Sequence, residues 1–151
     1  MKPISRVAIK TYFRDTLSKS AVVDIIEKSH TNHLHAPQML RDYVPMLTID
    51  NDIKGFKSQA AVFTIGVNSV HLAQWILADE SEAKAVVRHE IAHLVQHYVN
   101  GDCPPHGKEF TSALKIVSPK TWRKDRHWHD NAQIAEARKE CKKKPQNIHL
   151  T

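Results

Sequence analysis

The stretch from Asp79 to Gly101 constrains the fold more than any other part of the chain. Asp79 with Glu82 three residues later has the form of a capping box, in which a short acidic side chain closes the free N–H groups of a helix start. Ala83, Val87, Ile91, Leu94 and Tyr98 recur at three- and four-residue steps and so fall on one stripe of a helix. Asn100-Gly101 supplies a stop, because glycine enters the left-handed region that ends helices at little cost. The spacing predicts a helix over 80–99, about 30 Å long at 1.5 Å per residue. The whole chain has 151 residues, of which 41% are hydrophobic and 25% charged. That length buries a core without disulfide staples, and the composition excludes a chain disordered throughout.

Around that helix the patterning predicts an α+β domain. Residues 5–28 read as helix, with a break near Ser18–Ser20 where Ser20 can cap a second helix. Residues 43–49 and 61–67 are rich in β-branched and aromatic side chains and read as strands. Asp50-Asn51-Asp52 and Gly55 between them form turns, which predicts an antiparallel pairing of the two. Pro45 suits a strand start or an edge. Residues 69–77 read as a short helix or turn. Residues 108–117 read as a helix with Phe110, Ala113, Leu114 and Val117 inward, ended by Pro119. A further helix is expected near 132–141. The domain is expected to span 1–118, followed by a basic extension over 119–151.

The chain carries 22 Lys and Arg against 16 Asp and Glu. Between Lys120 and Lys144 nine basic residues face four acidic ones, so most of the excess sits in the C-terminal segment. Such a segment attracts a polyanion, nucleic acid first, or serves only as a solvated tail. Trp122 and Trp128 lie within it. They suit stacking on unpaired bases, but packing onto the core is the favoured role. Two cysteines, Cys103 and Cys141, cannot build a disulfide framework and fit a reducing compartment, so a cytoplasmic location is expected. No apolar run reaches the ~20 residues that span a bilayer. Residues 1–10 hold no apolar stretch of signal-peptide length.

The long helix contains His89-Glu90-Ile91-Ala92-His93. Histidines four residues apart stand one turn apart on one face, so their imidazoles can converge on one Zn²⁺. Glu90, about 100° around the axis, flanks that point and can take a proton from a water activated there. A catalytic zinc takes a third protein ligand and keeps one position open. The metzincin arrangement fails, since Gln96 and Val99 stand where its glycine and histidine would be. His97 lies two turns beyond His89, roughly 10–11 Å along a straight axis, too far for an ion held at ~2.1 Å bonds. Cys103, Glu109 and Glu136 are weaker candidates. His106 is the best one. It follows the turn formed by Asn100-Gly101-Asp102-Cys103-Pro104-Pro105 and can swing back over the helix, with Gly107 leaving room for close backbone approach.

His89-Glu90-Ile91-Ala92-His93, twelve residues, then His106-Gly107-Lys108-Glu109-Phe110 resembles the SprT-like metalloprotease domain, the family that includes Spartan. Ile65-Gly66-Val67-Asn68 resembles the strand preceding the active-site helix in that family. The resemblance covers residues 5–117. It implies a zincin-like fold with a small antiparallel or mixed sheet packed on helices. It also implies His89, His93 and His106 as zinc ligands, Glu90 as general base, and protein substrates attached to DNA. One departure is plain. Many relatives carry a C-terminal zinc ribbon with two cysteine pairs, whereas only Cys141 lies in that region here. Any DNA contact would fall to the basic segment.

The leading expectation is therefore a zinc-dependent endopeptidase. Substrate could add as a strand along 61–67, although an ordinary core strand is the favoured role of that segment, and His97, Arg88, Tyr43 or the His127/His129 pair could supply a second oxyanion donor. The competing expectation is a nucleic-acid-binding module whose zinc is structural, closed by Cys103 as fourth ligand. Hydrolysis of a non-peptide amide would use the same residues as the protease.

Overall fold

The computed structural model describes residues 2–28, 46–50, 61–64, 69–101 and 104–128. Among them the chain runs α1 (Arg6–Leu17), α2 (Ser20–Glu27), β1 (Met46–Asp50), β2 (Ala61–Thr64), β3 (Ser69–Ala73), a 3₁₀ turn (Gln74–Ala78), α3 (Glu80–Asn100), α4 (Lys108–Val117) and α5 (Trp122–Arg126). The architecture is α+β and mostly helical. The expected helix near 132–141, and residues 43–45 and 65–68, lie outside the described residues.

Local chemistry sets the helix boundaries. Ser5 caps α1, its hydroxyl accepting from the Ala8 N–H at 3.0 Å. The Ser18 N–H and Lys19 N–H bond back to Arg14 and Thr16, closing α1 before α2 begins. Asp79 caps α3 by accepting from the N–H groups of Ser81 and Glu82. The Asp79 N–H itself goes to the Ile76 carbonyl, so the 3₁₀ turn serves the donor that a reciprocal capping box would leave to Glu82. Gly101 ends α3 at φ 73°, where a side chain would strain the backbone.

α3 is the central element. Its apolar residues are buried on several faces, from Ala83, Val86 and Val87 through Ile91, Leu94 and Val95 to Tyr98. Ile9, Phe13 and Leu17 of α1, Val22 and Ile26 of α2, Phe110 and Leu114 of α4, and Val70 and Leu72 of β3 complete the core around it.

The sheet corrects two expectations. β1 and β2 do not pair with one another. β3 lies between them, parallel to β1 (Met46 opposite Ser69) and antiparallel to β2 (Ala61 opposite Leu72). The sheet is thus mixed, and 69–73, read as helix or turn, is its central strand. Ser-Val-His-Leu-Ala has only one β-branched residue, so its strand character comes from ladders on both sides rather than from propensity. A chain of hydrogen-bonding side chains spans β1 and β3: Ser69 Oγ lies 3.0 Å from His71 Nε2, and His71 Nδ1 lies 3.2 Å from Asp50 Oδ2.

Among the described residues, no helix is long and apolar enough to cross a membrane.

Candidate metal centre

α3 presents His89 and His93 one turn apart, and the turn after Gly101 returns His106 to them. That turn is built locally. The Gly107 N–H bonds to the Pro104 carbonyl at 3.3 Å. The same carbonyl accepts from Gln96 Nε2 at 3.0 Å, which ties the turn back to α3. His106 stands at its crest, two residues before α4 begins. Gly107 is not sterically required here. It sits at φ −83°, and a Cβ would meet Glu109 Oε2 at 3.4 Å and Pro104 at 3.6 Å, ordinary contacts.

The result is one cluster of ligand-bearing atoms. Those of His89, His93 and His106 all lie within 4.8 Å of one another. The Nε2 atoms of His89 and His106 are 3.2 Å apart. Two neutral ring nitrogens that close repel unless a proton or cation lies between them. Around a tetrahedral ion with bonds of ~2.0–2.1 Å, neighbouring donors stand ~3.3 Å apart. The residues present therefore fit a metal ion. His89 is buried, His93 half-buried and His106 exposed, so one side of the cluster opens to solvent. No further Asp, Glu, Cys or His among the described residues joins the group.

Electrostatics favours binding at neutral pH. Burial, reinforced by the nearby His106 and opposed by a hydrogen bond to Gln96, pushes the His93 imidazole down to about 4, so it stays neutral and keeps a free lone pair. Glu90, 5% exposed and next to His89, is pushed up to about 8 by burial alone. A cation beside it would favour its ionised form.

An aromatic frame holds the imidazoles. Phe110 stacks on His93 (centroids 4.4 Å apart, planes 29° apart) and also touches the His89 and His106 rings at 4.8 and 5.0 Å. Trp128 meets His89 edge-on at 5.7 Å. The sequence contained a signal for Phe110, which follows His106 by one helical turn. It contained none for Trp128. Trp128 is buried and Trp122 packs against the core, in line with the favoured reading of both.

The other candidates are accounted for as follows. His97 is half-buried, lies tilted beside Tyr98 with ring centroids 5.9 Å apart, and is not among the converging nitrogens. Glu109 lies at the start of α4 outside the cluster. Arg88 is engaged elsewhere. Its Nε and Nη2 donate to both carboxylate oxygens of Asp125 at 2.6 and 2.9 Å, and its Nη1 donates to the Tyr12 hydroxyl at 2.8 Å. Burial alone would lower the Arg88 pKa, but these bonds outweigh it and raise it. His127 caps the end of α5 and is exposed. Tyr43, Cys103, His129 and Glu136 lie outside the described residues.

The model of the SprT-like family matches residues 5–134. The chain is 35% identical over 74 residues to Protein SprT of Pasteurella multocida (strain Pm70), an alignment covering 48% of this chain and 44% of that protein. The chain thus spans less than half of that relative's length. No solved structure matches it.

Proposed function

The chain belongs to the SprT-like family, and from that premise we propose that it is a zinc-dependent endopeptidase whose metal ligands are His89, His93 and His106 and whose general base is Glu90. The observation that carries the proposal is the conjunction at one point of α3: three imidazoles at ligand spacing with one face open, and a buried carboxyl on the residue next to the first of them. A structural metal site has no use for a base there.

Bound zinc would polarise the scissile carbonyl and acidify a water. Glu90 would take the proton from that water as it attacks and hand it to the leaving amine. A cation at the three imidazoles would favour the ionised carboxylate that accepts the first proton. β2 is an edge strand among the described residues and runs beside α3. An extended substrate adding to it would bring its backbone alongside the ligands.

We further propose protein substrates on DNA, with phosphate contact from the exposed Lys120 and Arg123. Base stacking by the tryptophans is less favoured, because Trp128 is buried and the Trp122 ring is already in contact with Lys115 and Arg123, each 4.7 Å from its centroid.

The test is metal analysis together with casein and histone cleavage, with and without DNA. Wild type should carry zinc and cleave. Glu90→Gln should carry zinc and leave both proteins intact. A Glu90→Gln chain that cleaves like wild type would remove the general-base assignment. A zinc-loaded wild type inert towards both proteins would favour the structural-zinc reading.

A further inference from the structure

The two most separated ligands, His89 on α3 and His106 on the following turn, are gripped by adjacent residues of one short helix. His89 Nδ1 lies 2.8 Å from the backbone carbonyl oxygen of Asp125. Arg126 Nη2 donates to the backbone carbonyl of His106 at 2.8 Å, while its Nε donates to Thr111 Oγ1 at 3.0 Å. α5 is held in place in turn. Arg88 takes both Asp125 carboxylate oxygens, Thr121 Oγ1 donates to one of them at 3.0 Å, and Arg88 is anchored to Tyr12 of α1.

We infer that α5 is a brace for the metal centre, and that Asp125 and Arg126 are positioning residues within it. Each bond does a separate job. A carbonyl can only accept, so His89 must carry its proton on Nδ1 and present the Nε2 lone pair to the cluster. The Arg126 guanidinium fixes the backbone of the turn that carries His106, the one exposed ligand and the one without a helix beneath it. Arg126 directs this fork to a backbone oxygen and a hydroxyl. A purely solubilising surface arginine would make no such choice of partners.

The inference rests on the metal-centre reading above and is separable from it. The full chain is titrated with Zn²⁺ against a chromophoric chelator, and its visible absorption is recorded with Co²⁺ in place of zinc. Outer partners of ligands change metal affinity by roughly ten- to a hundredfold. Arg126→Met should weaken zinc binding within that range and alter the Co²⁺ spectrum, with the melting temperature of the metal-free chain unchanged. Arg126→Gln, which keeps a shorter donor, should lose less. Lys124→Met is the control on the same helix, since Lys124 bonds to Ser81 and to no ligand, and it should bind zinc like wild type.

Arg126→Met with wild-type affinity and spectrum would overturn the brace while leaving the metal centre intact. Equal losses in Arg126→Met and Lys124→Met would overturn it too, since any damage to α5 would then suffice. A wild-type chain with no zinc affinity would remove the metal centre itself and the brace with it.

Discussion

His89 Nδ1 and the Asp125 carbonyl oxygen meet at 2.8 Å across 36 residues of sequence. The contact brings part of the basic C-terminal segment into the site. α5 and Trp128 belong to the basic extension expected over 119–151, and they pack on α3 and α4, the role favoured for its tryptophans. The family match runs on to residue 134.

In the Arg88–Asp125 pair beneath that contact Asp125 is fully buried and the Arg88 side chain is 14% exposed. Removing one member leaves the other charged and without its partner in a dry site, at a cost of about 3–5 kcal/mol. Arg88→Met should therefore lower stability by that order in urea denaturation. The double variant Arg88→Met/Asp125→Leu should recover much of the loss, since an apolar replacement of both members removes the stranded charge. A double variant no more stable than Arg88→Met would show that the pair contributes through something other than mutual neutralisation.

Phe110 is fully buried against all three imidazoles. Truncating such a ring costs about 3–5 kcal/mol through lost burial and the cavity left behind. Phe110→Ala should lose that much stability and also weaken zinc binding, because the His93 ring loses the surface it stacks on. Phe110→Leu should retain more of both. Denaturation of the metal-free chain, followed by zinc titration, separates the two effects.

What was legible in the sequence was local. The two ends of α3 are written in Asp79 and Gly101, and the His89-Glu90…His93 spacing follows from helix periodicity alone. His106 and α4 were legible because a turn between two well-marked helices leaves few ways back. The sheet order was not legible. β3 gains its ladders from chain segments on both sides, and Ser69–Ala73 has no strong propensity to announce this. Asp125 and Arg126 were not legible as site residues for a similar reason. In sequence they are charges in a basic run, and only tertiary packing shows that one offers its backbone rather than its carboxylate to the site.

The two glycines flanking the turn should respond differently. Gly101 adopts φ 73° and ψ −140°, close to a region that only glycine occupies freely. Gly101→Ala should cost on the order of 1–3 kcal/mol. Gly107 has ordinary φ and room for a Cβ. Gly107→Ala should cost roughly 0.5–1 kcal/mol, the difference between glycine and alanine at a helix start. Thermal melts of the two variants check the order, and equal losses would contradict the backbone argument.

Glu82 predicts a pH dependence that can be isolated. Its side chain is turned into the protein at 5% exposure. Burial, first among the causes, raises its pKa from the ordinary 4.5. Asp79 and Asp125 add to the rise, while Lys124 and Arg88 oppose it. The folded chain therefore holds this proton more tightly than the unfolded chain does. The resulting stability is fully present below pH 4.5 and declines as pH rises through the higher folded value. Glu82→Gln carries no such proton. Wild type and variant should be closest in stability in acid, and the variant should gain on wild type as pH approaches neutrality. Urea midpoints measured at steps from pH 4 to pH 7 test the sign. A difference that stays constant across that range would mean that Glu82 titrates alike in the folded and unfolded chains.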